Sequence, residues 1–548
     1  MIDIYFFPYL QRNIFIKPGR VIHRFFVFIE HQIEYLSNKL NREIFIAAIL
    51  ITPIIITVSL VWFSFGTSII SYIPTGSDEM VYWREIFTFS AVDFNGGQYS
   101  TDELIARVDS VHFDAHGPAF PVFYGLLGRF FGWQLISGVI LNHIFLSLAL
   151  VGFIYLSHPK NKHLLLLWLF LATFWPIWLY MPTTRVEGLF FSFAIIIAGL
   201  FTKLLTHNKK IVCTAIVIGV LVLFAGTFRL SWSLLFFSLI GILLGKYSKK
   251  NLFKVILLSI FPVTLMILYF KFFVSPYPLF SYNTIHSLGE GDLDQIVPIF
   301  SHFIENLVNF FSTKGTRIYV LLRYQLLWVF IVSLVDFFNT LKHKQCIKPT
   351  HSDHISYLNS SNLGLVILFN LAVHAVHAGR EYRLWAPHIL LTLMILLFSS
   401  RKKLVVGIVI SNLIFLVSFG NTFYKERYSN FLRDNSDIVE IQSAITEYIT
   451  TDPVGSHWCS TIDVSRYSSE VTWGPWMLTL PEEFGVTSII NWKNFYHTKI
   501  NAKYVLLEPE YINENYPYLF RNTNLEPLTE TPIGILYYNW DSQCPSVD

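Results

Sequence analysis

Residues 44–68 read IFIAAILITPIIITVSLVWFSFGTS, an apolar run that is long enough to cross a bilayer. About ten residues later the chain reads GSDEMVYWRE (76–85), in which Asp78 and Glu79 are adjacent carboxylates. Ionisable groups at or near membrane depth are costly to desolvate, which makes them functional candidates. The two segments together predict a membrane protein with an acidic site just outside its first span.

The composition is that of a membrane protein. Of the 548 residues, 53% are hydrophobic and 14% are charged, and the mean hydropathy is +0.49. A soluble domain carries roughly a quarter charged residues. We therefore expect an all-α polytopic membrane protein. The basic residues form short clusters between the apolar runs, so a nucleic-acid partner is not expected.

Eleven apolar runs have lengths near those needed to span a bilayer, roughly 17–25 residues. They cover residues 44–68, 134–157, 164–181, 186–206, 211–229, 231–245, 252–273, 318–338, 363–379, 385–400 and 403–420. We therefore expect about eleven transmembrane helices. Lys and Arg cluster in alternate connections between these runs, and basic loops face the cytoplasm. The N-terminus is thus expected in the cytoplasm.

The chain from residue 421 onward has the opposite charge. It carries 8 Lys/Arg against 17 Asp/Glu, a net charge of −9. Turn residues and short alternating runs such as AKYVLLEP (502–509) predict a small α/β domain there. An odd number of spans places this domain outside the cytoplasm. Cys459 and Cys544 both lie in it, where they either form a disulfide or remain two separate thiols.

The chain is therefore divided into three parts. Residues 1–43 form a cytoplasmic arm, whose apolar positions recur at helical spacing and predict an interfacial helix; a soluble helical arm is the alternative. Residues 44–420 form the transmembrane domain, with large outer loops at 69–133 and 274–317. Residues 421–548 form the extracytoplasmic α/β domain.

Polar residues from several segments are predicted to meet at the outer face. They are Asp78, Glu79, Tyr82 and His116 in the first loop, Arg185 and Glu187 before the fourth span, Arg229 at the end of the fifth, Arg323 in the eighth, and His377 and Arg383 between the ninth and tenth. A carboxylate beside arginines suits a reaction whose leaving group is a phosphate. The carboxylate takes a proton from an attacking hydroxyl, and the arginines bind the phosphate.

Several of these segments resemble one family. GSDEMVYWREI (76–86) followed by HGPAFPVFYGLLGRFFG (116–132) is similar to the first outer loop of GT-C glycosyltransferases. RVEGLFFSFAII (185–196) resembles the start of their fourth span, and REYRLWAPHILL (380–391) resembles their late Arg-Tyr segment. The resemblance covers about residues 44–420 and points to the protein O-mannosyltransferase and lipid A aminoarabinose transferase branch.

The resemblance implies an inverting transfer of a sugar from a polyprenyl-phosphate donor to a glycan, lipid or protein acceptor, on the outer face of a bacterial inner membrane. Asp78 takes the position of the catalytic base, and Glu79 is the acidic residue beside it. The donor phosphate is expected at Arg323, Arg383, Arg229 and Arg185, and the sugar or acceptor at Tyr82, His116, Glu187 and His377. The chain departs from the family in its HGP turn and in the Leu after Arg383.

Each candidate also has a structural explanation. Asp78 and Glu79 suit the N-terminus of a short helix, and arginines at span ends extend to lipid headgroups. His374 and His377 share a helix face with Glu381 at a spacing that could hold a metal, although helix–helix hydrogen bonds explain them more simply. No cofactor is required by the sequence; a divalent metal is compatible with the carboxylates, but no ligand spacing specifies one.

Two other functions fit a chain of this kind. One is a transporter or flippase of a lipid-linked saccharide, which would usually show two related halves with broken helices. The other is a non-catalytic membrane scaffold whose acidic tail binds a partner. A sugar transferase explains the carboxylate pair, the arginines and the soluble outer domain together.

Overall fold

The computed structural model is a bundle of helices with a mixed sheet built largely from its C-terminal part. It describes residues 18–66, 68–71, 74, 77–95, 99–100, 113, 116–206, 211–245, 249–274, 296–311, 317–343, 351–376, 382–399, 401–427, 444–449, 459, 461–465, 475–489, 491–492, 495–496, 502–507 and 524–542.

Sixteen α-helices lie within these ranges. They are α1 (Pro18–Lys39), α2 (Arg42–Phe65), α3 (Ser77–Val92), α4 (Ala119–Phe131), α5 (Ser137–Ser157), α6 (Asn161–Thr173), α7 (Trp175–Tyr180), α8 (Glu187–Thr206), α9 (Ile211–Phe228), α10 (Leu235–Leu244), α11 (Lys249–Phe273), α12 (Ile296–Phe311), α13 (Arg317–His343), α14 (His351–Val376), α15 (Tyr382–Leu396) and α16 (Lys402–Arg427).

The first apolar run ends where glycine permits a turn. Gly66 has a φ of +68°, and its N–H donates to the carbonyl oxygen of Trp62 at 2.8 Å. A residue without a Cβ adopts this left-handed conformation at little cost, which closes the helix. The span therefore ends just before the predicted limit at residue 68.

Eight of the described helices are long and apolar enough to cross a membrane: α2, α5, α8, α9, α11, α13, α14 and α16. The other predicted spans are shorter or interrupted. The run 164–181 is divided at Phe174 into α6 and α7, 231–245 joins the 3₁₀ turn Leu230–Leu234 to α10, and 385–400 corresponds to the 15-residue α15. A largely helical protein with many apolar helices is confirmed, whereas the count of eleven spans stays a prediction.

The sheet has six strands in the order β1-β3-β2-β6-β8-β7. They are β1 (Tyr99–Ser100), β2 (Thr461–Ser465), β3 (Gly485–Ile489), β6 (Tyr504–Leu507), β7 (Leu525–Thr531) and β8 (Gly534–Asn539); β4 (Asn491–Trp492) and β5 (Phe495–Tyr496) form a separate hairpin. β1, β3, β2 and β6 run parallel, and β8 and β7 continue the sheet antiparallel. A small C-terminal sheet was expected, but its edge strand β1 comes from the loop that follows the first apolar run.

Helix α3 lies between the helical bundle and the sheet. Its Tyr82 and Trp83 are buried in the apolar core of the helices. Met80 and Val81, on another face of the same helix, are buried in a second core that contains Trp476 and residues of the strands. The first loop and the C-terminal sheet therefore lie on the same side of the membrane. An even number of crossings must separate them. If all seven long helices that follow α2 cross the membrane, at least one shorter helix must cross it as well.

One helix begins earlier than hydropathy suggests. The predicted span 363–379 forms part of α14, which starts at His351. Its first half is polar, yet Asn359 and Asn362 are fully buried among neighbouring helices. Hydropathy alone does not distinguish such a segment from a loop.

The described residues test two other predictions in part. Helix α1 occupies the region of the predicted interfacial helix, while its position at a membrane surface stays a prediction. Cys459 is buried and disulfide-bonded. Cys544 lies outside the described residues, so the expected pairing of these two cysteines stays a prediction.

Candidate active site

The acidic pair lies in the first turn of α3, where the unpaired backbone N–H groups favour negative charge. The two carboxylates differ in environment. Glu79 is buried, whereas the side chain of Asp78 keeps 20% of its surface exposed. The helix therefore presents one carboxylate to the interior of the protein and one to its edge.

Glu79 holds a buried turn in place. Its Oε1 accepts a hydrogen bond from the backbone N–H of Thr184 at 2.6 Å. The preceding turn residue, Thr183, is held from the other side, because Asn142 donates to its carbonyl oxygen at 2.7 Å. Asn142 in turn accepts from the hydroxyl of Tyr124 at 2.7 Å. These bonds determine where the following residues of the chain enter the site.

The turn carries Arg185 and leads into α8 at Glu187. Close packing requires glycine at the next position, because a Cβ on Gly188 would lie 2.5 Å from the side-chain amide of Asn142. Arg185 is 7% exposed. Among the described residues its guanidinium makes no hydrogen bond or ion pair, although Asp78 and Glu79 interact with it electrostatically.

Four charged side chains form a chain of alternating sign. Arg383 of α15 donates to Oδ2 of Asp78, and its Nε lies 3.9 Å from Oε1 of Glu187. The same Glu187 oxygen accepts from Nη2 of Arg229 at 3.0 Å. Nη1 of Arg229 donates to the backbone carbonyl of Arg383 at 3.1 Å, and its guanidinium lies 4.4 Å from the ring of Phe190. Segments far apart in sequence are thus joined by ion pairs.

The chain of charges runs from the interior to the edge of the protein. The Glu187 side chain is 1% exposed, whereas Asp78 and Arg383 are 20% and 18% exposed. Glu187 keeps its second oxygen, Oε2, buried without a hydrogen-bond partner among the described residues. Asp78 and Arg383 are therefore the more accessible end of this network, and Glu187 holds an acceptor behind it.

The electrostatic surroundings keep Asp78 ionised. Burial opposes its ionisation, but the charges of Arg383, Arg185 and His116 hold the pKa of Asp78 well below its usual range. Burial likewise opposes the charge of Arg185, but the nearby carboxylates raise the pKa of Arg185 above its usual value. Both groups are therefore charged at neutral pH.

The remaining first-loop candidates lie next to the acidic pair. The ring of His116 packs edge-on against the ring of Tyr82 with centroids 5.0 Å apart, and Tyr82 in turn contacts Phe120 at 5.0 Å. Tyr82 is 1% exposed. His116 is half-buried and close enough to Asp78 to affect its charge.

Arg323 has another environment. It is buried in α13, and its Nη1 donates to the carbonyl oxygen of Asn309, near the C-terminus of α12, at 2.6 Å. A cation at a helix C-terminus is favourable. The ion pairs described around Asp78 do not include Arg323, so its role toward a donor phosphate stays a prediction. His377 and Glu381 lie outside the described residues.

The described carboxylates of the site are bonded to protein groups. Asp78 is bonded to Arg383, Glu79 to the backbone of Thr184, and Glu187 to Arg229. No group of three or more His, Cys, Asp or Glu in the described part of the chain has the arrangement of a metal site. A divalent metal at this site therefore stays a prediction.

Sequence reasoning missed two residues that organise the site. Asn142 stands in an apolar span, and a polar residue there is a signal that it has a partner. Arg84 of α3 is 1% exposed and donates to carbonyl oxygens of the C-terminal part: Leu480 at 2.7 Å, Phe484 at 2.6 Å, and Pro481. Its partners are about 400 residues away in sequence, so no local pattern indicates them.

Comparison with known proteins gives limited information. No protein-family model matches the chain, and no curated protein matches it. Solved structures of an oligosaccharyltransferase from the archaeon Archaeoglobus fulgidus are similar in part. One, in complex with Zn and sulfate, is 14% identical with a TM-score of 0.46 over 90% of this chain and 74% of that chain. Another, in complex with an inhibitory peptide and a dolichol-phosphate, is 13% identical with a TM-score of 0.43 over 91% and 75%. TM-scores below 0.5 do not establish a common fold, so membership of a glycosyltransferase family stays a proposal.

Proposed function

We propose that the chain is a GT-C-type membrane glycosyltransferase, related to the protein O-mannosyltransferase and aminoarabinose transferase branch. It transfers a sugar from a polyprenyl-phosphate donor to a glycan, lipid or protein acceptor, with inversion, on the outer face of a bacterial inner membrane. The N-terminus is cytoplasmic, and α3 and the C-terminal sheet are extracytoplasmic. The observation that carries this proposal is the partly exposed Asp78 carboxylate beside the guanidinium groups of Arg383 and Arg185.

The reaction uses these groups in complementary roles. The oxygen of an acceptor hydroxyl attacks the anomeric carbon of the donor sugar, and its proton passes to Asp78. The bond between that carbon and the phosphate oxygen breaks, and the phosphate leaves with the electron pair. Arginines stabilise the charge that grows on it. Attack from the face opposite the phosphate inverts the configuration at the anomeric carbon.

Arg185 and Arg383 are the best placed phosphate ligands. Arg185 is protonated and buried, and no described residue forms an ion pair with it. A planar guanidinium in this state is ready for bidentate binding of an anion. Arg229 supports the site from behind through Glu187, and we assign it to the positioning of Arg383.

The sugar and the acceptor are assigned to the surrounding side chains. The unpartnered Oε2 of Glu187 accepts a hydrogen bond from a sugar hydroxyl, because a buried acceptor without a partner is costly. Tyr82, His116 and His377 complete the proposed sugar and acceptor contacts.

The test is a comparison of Asp78→Asn with Asp336→Asn. Asp336 also forms an ion pair with an arginine, Arg401, in a different part of the bundle. A strain lacking the protein is complemented with each variant at equal expression, and its envelope glycans are measured by mass spectrometry. We expect Asp78→Asn to lower sugar transfer by roughly 10²–10⁴-fold and Asp336→Asn to preserve it. Normal glycans with Asp78→Asn would overturn the proposed mechanism, and an altered distribution of lipid-linked saccharide between the leaflets would indicate a flippase.

A further inference from the structure

The Asp78–Arg383 ion pair conflicts with the geometry of the proposed reaction. In an inverting transfer the base and the leaving phosphate lie on opposite faces of the sugar, with the reacting atoms in line. The side chains of Asp78 and Arg383 are in direct contact. If Asp78 is the base and Arg383 binds the phosphate, no sugar ring fits between them in this state.

We infer that Arg383 is an exchange group: the donor phosphate replaces Asp78 on its guanidinium, so that anion binding itself frees the carboxylate that acts as base. This inference rests on the proposed function. Asp78 occupies the anion position of Arg383 in the absence of donor and leaves it when the donor is bound.

The rest of the network permits this exchange without a large movement. Glu187 lies near Nε of Arg383 at 3.9 Å, while Asp78 contacts its Nη1. Arg229 donates to the backbone carbonyl of the same residue. These contacts come from the buried end of the network and hold Arg383 in place when its outer partner changes. Among the described contacts, the ion pair that has to open is the partly exposed one between Arg383 and Asp78, at 18% and 20% exposure.

The formal charges of this part of the site cancel when the donor is absent, and a bound phosphate makes their sum negative. With the donor absent, the carboxylates of Asp78, Glu79 and Glu187 face the guanidinium groups of Arg185, Arg229 and Arg383. A phosphate adds negative charge, for which Arg185 is available without losing a bonded partner. The freed Asp78 then has fewer positive neighbours, which strengthens it as a base.

The test measures binding of polyprenyl phosphate, without a sugar, to the purified full-length protein in nanodiscs. Asp78 competes with the phosphate in the wild-type protein, so Asp78→Asn is expected to bind roughly tenfold more tightly, the effect of one hydrogen bond to a charged group. Arg383→Gln is expected to weaken binding at least tenfold. Asp93→Asn is the matched control, since Asp93 follows the same helix but pairs with Arg129. This variant should bind polyprenyl phosphate with the affinity of the wild-type protein.

A double variant separates exchange from simple repulsion. If Asp78 only repels the phosphate, its neutralisation strengthens binding whether or not Arg383 is present. If the two compete for Arg383, Asp78→Asn has no effect in the Arg383→Gln background, and this is the result we expect. Equal or weaker binding by Asp78→Asn, or a gain that persists without Arg383, would overturn the exchange while leaving the proposed function intact. Absence of binding by all variants would overturn the donor class and the exchange together.

Discussion

Arg84 is predicted to hold the C-terminal sheet against the helix that carries Asp78. Its guanidinium is buried, and it donates to three backbone carbonyls between Leu480 and Phe484. Burial lowers the pKa of Arg84 to about 9, while Glu482 and Glu483 oppose this change. The side chain is therefore charged at neutral pH, and its hydrogen bonds are of the stronger, charge-assisted kind.

Replacing Arg84 with Met retains much of the side-chain volume and removes every donor. The carbonyl oxygens lose charged hydrogen bonds worth about 1.5–3 kcal/mol each. Because Pro481 is partly exposed, water replaces some of the lost bonds. We therefore expect Arg84→Met to lower the free energy of local unfolding by about 3–5 kcal/mol, the usual cost of removing one partner from a buried charged contact. Arg84→Lys, which retains a charge but not the fork of donors, should lose about half of that.

The assay is hydrogen exchange, read by mass spectrometry on the protein in nanodiscs. A loss of 3–5 kcal/mol lowers amide protection roughly 10²–10⁴-fold, and we expect this in β3 (Gly485–Ile489). Arg129→Met is the control, because Arg129 bonds to carbonyls at the other end of α3 but is more exposed. Unchanged protection in β3, or an equal loss of protection in α8, would refute the prediction that Arg84 stabilises the C-terminal sheet locally.

Three further predictions concern packing, pH and the disulfide. Gly188→Ala should lower stability by about 1–3 kcal/mol in thermal unfolding, because the new Cβ meets Asn142; an unchanged melting temperature would contradict the tight packing of this turn. The depressed pKa of Asp78 means that the stabilisation by its ion pair is present above the unfolded value of about 3.9 and is lost as pH falls through the folded value. The fall of kcat/KM at acid pH should therefore occur below pH 4. The fall of kcat, which reports the enzyme with donor bound, should occur at higher pH. If the two profiles fall at the same pH in the His116→Gln variant, Asp78 is not released from Arg383 when the donor binds. Peptide mapping without reductant should find Cys459 linked to Cys544, and reduction should cost about 2–4 kcal/mol of stability; recovery of Cys544 as a free thiol would show the pairing to be wrong.

The sequence predicts elements whose signal is local. The fourth predicted span, 186–206, agrees closely with α8 (Glu187–Thr206), because hydropathy and helix length are properties of a short segment. The polar start of α14 is missed for the same reason. Its buried Asn362 makes hydrogen bonds to Thr392 and His388 of α15, whereas hydropathy reports only that the residue is polar.

The candidate site shows the same limit. Asp78 and Arg383 are recognisable as residues out of place in an apolar chain, so their types and motifs identify them. Their contact joins positions that are 305 residues apart in sequence, and no local pattern predicts it. The bond between Glu79 and the backbone of Thr184 has no sequence signal at all, because any residue other than proline supplies the same N–H.

The position of β1 in the sheet has a consequence for the order in which the chain assembles. Tyr99 and Ser100 are synthesised early, yet their pairing partners Val486 and Thr487 emerge after almost the whole membrane region has been made. Contacts of such long sequence separation form late and slowly, because the intervening chain must first be ordered. Until then the first loop carries an unpaired strand, and α3 exposes Met80 and Val81 without their partners. The helix that bears the carboxylates should therefore reach its final place only when the last strands arrive, which makes formation of the site a late event in biogenesis.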